Sequence, residues 1–289
     1  MRWMVTGAGG MTGSDVVDLL EASGEPVVTA SKEELDITSP DVYEFARDAR
    51  PDVILNCAAY TKVDDCEADP ALADRINGEA VRILAEAANR EGALLVQIST
   101  DFVFDGTARV PYPVDAPVAP VSAYGRSKLL GERNAAMAEQ HLIVRTSWLF
   151  GRRGPSFPAA ILRQIDAGRT TLRVVDDQRG RPTWTPHLAE ALVALARLAR
   201  VDEKARGVVH YADEPECTWF DLARQIAAIA KPEGVVIEPV STAEFPRPAR
   251  RPEYSVLSTE KYEALTGRRP AQWIDGLREF LAEPRPSSS

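Results

Sequence analysis

Tyr124 and Lys128 stand four residues apart in Ser122-Ala-Tyr-Gly-Arg-Ser-Lys128. On a helix that spacing puts both side chains on one face. An ammonium beside a phenol lowers its pKa from the usual value of about 10. A phenol tuned this way can hand a proton to a carbonyl oxygen as hydride arrives at carbon, which is general acid catalysis. Any amphipathic helix produces a Tyr-x-x-x-Lys by chance. Its chemical weight comes from Thr6-Gly-Ala-Gly-Gly-Met-Thr-Gly13 upstream, because together the two motifs point to nicotinamide chemistry. A third element is Leu95-Val-Gln-Ile-Ser-Thr-Asp101, which carries a hydroxyl to the carboxyl end of a strand, where open α/β sheets place their ligands. Thr100 is expected to polarise a carbonyl and Tyr124 to protonate it. Lys128 is expected to tune the phenol and bind the nicotinamide ribose.

Gly7, Gly10 and Gly13 follow a short apolar run and open a helical pattern. Glycine permits the tight turn and close backbone approach, while a helix N-terminus offers unpaired N–H groups to a pyrophosphate. Gly7, Gly10, Met11, Thr12 and Gly13 are therefore expected to cradle a dinucleotide. NAD sites place an acid about 20 residues further on, at the end of the second strand. Here that position reads Thr29-Ala-Ser-Lys32, and the hydroxyl of Ser31 with the cation of Lys32 suits a 2′-phosphate. NADPH is the expected cofactor, with NADH the alternative because Glu33 and Glu34 follow at once. Asp36 and Ile37 are expected to flank the adenine with an acceptor and an apolar surface.

The elements that must position these groups are legible as periodicity. Short apolar runs at 2–6, 26–30, 53–56, 94–99 and 142–146 alternate with helical patterns, which is the signature of strand-helix-strand units. Ser39-Pro40 and Asp69-Pro70 mark helix starts by N-cap and following proline. Residues 105–122 are expected to form a long loop toward the site, followed by a helix over 124–140. Helical patterns near 157–167, 186–200, 218–230 and 273–281 define a less regular second half, and the proline-rich 245–252 reads as a structured loop. The fold class is α/β: a Rossmann-like doubly wound parallel sheet over 1–150, with a smaller α/β substrate domain over 151–289, some segments of which return to the first.

Composition narrows the functional classes. The chain has 289 residues, 45% hydrophobic and 27% charged, so it can bury a large core. A net charge of −9 argues against nucleic acid or an anionic membrane surface as partner. No run approaches the ~20 apolar residues of a membrane span, and the start lacks a signal-peptide pattern. A soluble, cytoplasmic protein is expected. Cys57, Cys66 and Cys217 are odd in number and without C-x-x-C spacing, and His141, His187 and His210 are scattered, so neither disulfides nor a metal are expected.

The motifs together resemble the dTDP-4-dehydrorhamnose reductase family of extended short-chain dehydrogenases over nearly the whole length. The resemblance rests on residues 5–13, Glu34-Leu-Asp-Ile-Thr38, Asn56-Cys-Ala-Ala-Tyr-Thr-Lys-Val-Asp64, Ser99-Thr-Asp-Phe-Val-Phe104 and Tyr124-Gly-Arg-Ser-Lys128. It continues in Arg145-Thr-Ser-Trp148, Asp177-Gln-Arg-Gly-Arg-Pro-Thr183 and Ala249-Arg-Arg-Pro252 with Ser255. It implies reduction of the 4-keto group of a dTDP-4-keto-6-deoxysugar, with dTDP-L-rhamnose the product. By position it implies that Ala59, Tyr60, Thr61 and Ile98 line the cofactor and that Thr100, Asp101 and Trp148 meet the dTDP-sugar. Arg250 or Arg251 would clamp the diphosphate, with Arg251 the chosen candidate. The chain departs from the family in reading Ser156-Phe157 where many members have Asn-Phe, and in placing Arg181 where a small residue is common. A homodimer is left open and no metal is assigned. A 4,6-dehydratase would need a glutamate after Asp101, where Phe102 stands. The alternatives are a reductase of another deoxysugar or of a dihydrostreptose nucleotide, or a non-catalytic NADP-binding subunit resembling that of methionine adenosyltransferase.

Overall fold

Residues 1–282 are described by a computed structural model of the chain. Its centre is a parallel sheet of β1 (Trp3–Thr6), β2 (Val27–Ala30), β3 (Val53–Asn56), β4 (Leu94–Thr100), β5 (His141–Thr146) and β6 (Gly207–His210), ordered β6-β5-β4-β3-β1-β2. In a strand, successive side chains point to opposite faces. Trp3 and Val5, Val53 and Leu55, Leu94 and Val96, and Leu142 and Val144 accordingly enter one core, which α1 (Met11–Ala22) covers. The alternate residues Met4, Ile54, Leu95 and Ile143 enter the other, under α2 (Asp41–Ala49), α3 (Ala80–Glu91) and α4 (Ala123–Ala135). Burial on both faces is why these strands read as continuous apolar runs. Each such fully buried side chain contributes about 1.5–3 kcal/mol.

Beyond residue 150 the chain alternates between two bodies. α5 (Thr185–Val201) and β6 return to the first sheet, where Leu188, Leu192, Leu195 and Val209 pack with Val16 and Leu20. The intervening segments build a second core around a parallel strand pair, Thr171–Val175 with Val236–Val240, and the helices Phe157–Asp166, Trp219–Ala230 and Trp273–Ala282. Trp184, Leu222, Ile226, Trp273 and Leu277 fill it.

Two local expectations are corrected. The helix expected over 124–140 ends at Ala135, because the chain must turn to feed β5. Asn89 fixes that turn, donating to Met137 O at 3.1 Å and accepting from Glu139 N at 2.8 Å. Asp69 caps its helix as expected, accepting from Leu72 N at 3.0 Å. Ser39 sits one residue further out than a cap, its hydroxyl accepting from Asp41 N at 3.2 Å while Pro40 takes the cap position.

Candidate active site

Between β1 and β3 the strand order changes direction, since β1 pairs β2 on one side and β3 on the other. Open α/β sheets bind ligands at such a switch point. The glycine turn lies there. Gly7 has φ +66°, and a Cβ on it would stand 2.6 Å from Ala58 N. A Cβ on Gly13 would stand 2.2 Å from Gly7 O, so α1 approaches the turn only because residue 13 is glycine. Gly10 starts α1 without a side-chain cap. The first N–H groups of the helix thus face outward from a cradle that side chains would fill, which fits a pyrophosphate. Thr12 is buried behind the turn and Met11 half-buried beside it.

At the end of β2, Lys32 is exposed and Ser31 N donates to Glu34 Oε2 at 2.8 Å. That bond holds the Glu34 carboxyl below its usual range. A permanent anion therefore stands among the groups expected to receive a 2′-phosphate. Asp36 is committed to its own turn: its Oδ1 accepts from Thr38 N at 2.9 Å and from Thr38 Oγ1 at 2.8 Å. Only part of its capacity remains for an adenine, beside the buried Ile37.

A lateral chain of polar side chains, unexpected from the motifs, crosses the strand ends. Thr6 Oγ1 donates to Asn56 Oδ1 (2.6 Å), Asn56 Nδ2 to Gln97 Oε1 (2.7 Å) and Gln97 Nε2 to Ile98 O (2.7 Å). Lys128 Nζ donates to the same carbonyl at 2.7 Å. Asn77, in a π-turn over Arg75–Glu79, clamps the half-buried segment of Ala59 and Tyr60. Its Oδ1 accepts from Tyr60 N (2.7 Å), and its Nδ2 donates to Tyr60 O (2.9 Å) and Ser127 Oγ (3.0 Å). Isolated π-turns recur at functional sites. The sequence signal for these residues is a polar side chain after three apolar ones, in Val-Ile-Leu-Asn56 and Leu-Leu-Val-Gln97. Thr61, by contrast, is exposed.

Helix α4 brings Tyr124 to the end of β4. Ser122 caps it, accepting from Gly125 N at 3.1 Å. A Cβ on Gly125 would meet Phe102 O at 2.2 Å, so the helix start can sit directly on the 3₁₀ turn Asp101–Val103. Phe102 meets the Tyr124 ring edge to face at 5.5 Å. Thr100 Oγ1 donates to Asp101 Oδ1 at 2.9 Å and accepts from Phe102 N at 3.2 Å, so it caps the turn.

The electrostatics depart from expectation. Burial pushes the Tyr124 phenol well above its ordinary value, the Asp101 carboxylate adds to this, and only the Thr100 hydroxyl opposes. Lys128 does not supply the expected lowering. It is itself pushed down to about 8 by burial, against the pull of the Glu132 carboxylate one turn along. Glu132 is in turn held by Arg145 through two 2.8 Å bonds. Asp101 is 1% exposed and burial raises it to about 6, with Ser255 and Thr100 pulling the other way.

Beside this cluster opens a cavity of about 810 Å³, lined by Phe102, Trp148, Phe157, Gln178, Trp219 and residues 245–252. Trp148, at φ +48°, stacks on Trp219 with ring centroids 3.6 Å apart. One face of its indole is therefore taken, and Trp148 forms a wall together with Trp219 and Phe157. Arg251 is partly committed within the protein, with three of its five N–H groups taken. Its guanidinium grips Asp64, 2.9 Å to each carboxylate oxygen, whereas Arg250 is exposed on the cavity wall. Ser156 caps its helix by accepting from Ala159 N at 3.4 Å. Arg181 reaches Thr259 Oγ1 at 3.4 Å and Glu214 at 3.9 Å.

The family model described as the RmlD substrate binding domain matches residues 1–285. A probable dTDP-4,6-dihydroxy-2-methyloxan-3-one 4-ketoreductase from Streptomyces antibioticus is 41% identical, covering 98% of this chain and 95% of its own. A dTDP-4-dehydrorhamnose reductase from Streptomyces griseus is 40% identical, covering 96% and 92%. A solved dTDP-4-dehydrorhamnose reductase from Bacillus anthracis, in complex with NADP, superposes with a TM-score of 0.91 at 35% identity over 98% of this chain and 99% of that one.

Proposed function

This chain belongs to the dTDP-4-dehydrorhamnose reductase family, and from that membership we propose that it reduces the 4-keto group of dTDP-4-dehydro-L-rhamnose to dTDP-L-rhamnose with NADPH. It is an NAD(P)H-dependent oxidoreductase acting on a dTDP-4-keto sugar. The observation that supports the catalytic reading is that Phe102, which lines the 810 Å³ cavity, meets both Thr100 and Tyr124, with Lys128 one helical turn on and its Nζ on Ile98 O.

Reduced nicotinamide, when bound, supplies hydride to the ketone carbon. Tyr124 Oη gives its proton to the ketone oxygen, so that the carbonyl becomes an alcohol with charge conserved. A phenol pushed upward holds its proton throughout the neutral range, so the donor is present when hydride arrives. The Thr100 hydroxyl hydrogen-bonds the same oxygen and then the phenolate left behind. Lys128, anchored to Ile98 O, holds the nicotinamide ribose, and Thr100 swings its proton from Asp101 Oδ1, which accepts it in the resting site, to the ketone oxygen. Gly7, Gly10 and Gly13 take the pyrophosphate. Lys32 supports NADPH, in line with the NADP bound by the Bacillus anthracis relative. Trp148 and Trp219 flank the sugar nucleotide.

Incubation with dTDP-4-keto-6-deoxyglucose, a 3,5-epimerase and NADPH, in parallel with NADH, tests the reading. NMR is expected to identify dTDP-L-rhamnose, formed faster with NADPH. A different sugar product would move the substrate to another dTDP-4-keto sugar, the kind named for the Streptomyces antibioticus relative. No consumption of either cofactor would overturn the proposal.

A further inference from the structure

Residues 245–252 form one side of the 810 Å³ cavity. Pro246, Pro248 and Pro252 fix three of the eight φ angles, so a tie at one point sets the whole loop. Both ends are tied within the C-terminal body. Before the loop, Thr242 N and Oγ1 donate to Asp177 at 2.8 and 2.6 Å. After it, Arg179 N donates to Glu253 O at 2.8 Å.

The middle is tied to the opposite half of the site. Ala249 N donates to Asp64 Oδ1 at 3.1 Å, and Arg251 closes two parallel bonds of 2.9 Å on the same carboxylate while donating to Ala249 O at 2.8 Å. Asp64 lies in the first turn of the helix Val63–Ala68, directly after the Ala59–Tyr60–Thr61 segment that Asn77 clamps. Arg251 is the largest influence holding the Asp64 carboxyl below its usual range. The two side chains are 23% and 27% exposed. A pair this accessible contributes only about 0–1 kcal/mol to folding. Its bidentate geometry instead supplies orientation.

We propose that Asp64 is a positioning residue for the sugar nucleotide, acting through Arg251 and Ala249 to seat the 245–252 loop against the cavity and register it to the segment beside the cofactor. The proposal rests on the cavity's being the sugar-nucleotide pocket. One ion pair then sets two binding surfaces that come from distant parts of the chain.

The test uses full-length Asp64→Asn, Arg251→Gln, the double variant and Arg251→Lys. Steady-state kinetics with the 4-keto sugar nucleotide are read beside calorimetric titration of dTDP and of NADPH, and urea unfolding. Each single variant is expected to raise KM and the dTDP Kd about tenfold, with kcat changed less than about threefold and the NADPH Kd less than about twofold. The double variant should be no worse than the worse single, as for residues acting as a unit. Arg251→Lys keeps the charge but loses the fork and should fall between. It also carries the test if Asp64→Asn fails to fold. Normal dTDP affinity in Asp64→Asn with a loss in Arg251→Gln would return Arg251 to a direct phosphate contact and overturn the proposal. So would multiplying effects in the double variant, or KM, kcat, NADPH Kd and unfolding midpoint all moving together. If the wild type shows no turnover while dTDP binding responds as described, the functional reading fails and the positioning role stands.

Discussion

A phenol buried beside a carboxylate is a weak acid at rest, and Tyr124 is built that way. Replacing it with phenylalanine removes the proton donor while leaving the cradle untouched. Tyr124→Phe is expected to lower kcat at least about a hundredfold, the typical worth of a positioned acid, with NADPH affinity within about twofold. A parallel loss of NADPH binding, read by fluorescence titration, would contradict the assignment. Asp101 gives an independent check on the same environment. Its folded-state pKa, raised from 3.8 to about 6, means that the native state binds the proton more tightly than the unfolded chain. The protein should therefore be least burdened by Asp101 below pH 4 and lose stability as the pH climbs through about 6. The full penalty at pH 7 is on the order of 3 kcal/mol, at about 1.4 kcal/mol per unit. Asp101→Asn is expected to unfold at higher urea than wild type at pH 7, with the gap closing at pH 4. A gap independent of pH would remove burial of charge as its cause.

At the scale of elements, close approach is what assembles the site, and the segment of Tyr60 depends on a single buried amide. Asn77 is 1% exposed and serves Tyr60 N, Tyr60 O and Ser127. Asn77→Ala leaves two backbone groups without their partner and should cost about 2–4 kcal/mol by urea unfolding, since an unmade buried bond carries the full desolvation penalty. A cost under about 0.5 kcal/mol would deny the clamp. These elements differ in how plainly the sequence announces them. Val53–Asn56 reads correctly because Pro51-Asp52 precedes three apolar residues and a polar one ends them. The glycine turn reads correctly because glycine spacing is a local signal, whereas α4 starts where expected but ends at Ala135. Strand β6 does not read correctly, because Gly-Val-Val-His is too short to carry a period and forms only by pairing with β5. The Asp64–Arg251 pair is not legible, because its members lie 187 residues apart and no local spacing records that contact. The phenol's shift is likewise invisible, since burial is a property of the packed molecule.

In the whole molecule the two bodies are interlaced. The first sheet takes its last strand, and the α5 cover of one face, from beyond residue 184, and the chain visits the second body both before and after doing so. Removing everything after residue 150 would expose the apolar surface that Leu188, Leu192, Leu195, Ala196 and Val209 now cover on Val16, Leu20, Leu142 and Val144. Those four side chains at about 1.5–3 kcal/mol each amount to about 6–12 kcal/mol, comparable with the whole stability of a domain, about 5–15 kcal/mol. A fragment of residues 1–150 is therefore expected to show no cooperative thermal transition, even though it contains the glycine cradle, Thr100, Tyr124 and Lys128. The full chain should unfold in one calorimetric transition. NADPH at a hundred times its Kd should raise the stability of that single transition by about 2.7 kcal/mol through mass action. If the fragment melts cooperatively and NADPH raises its midpoint, the returning segments are dispensable. The cofactor half would then be an independent unit to which the substrate half is merely attached.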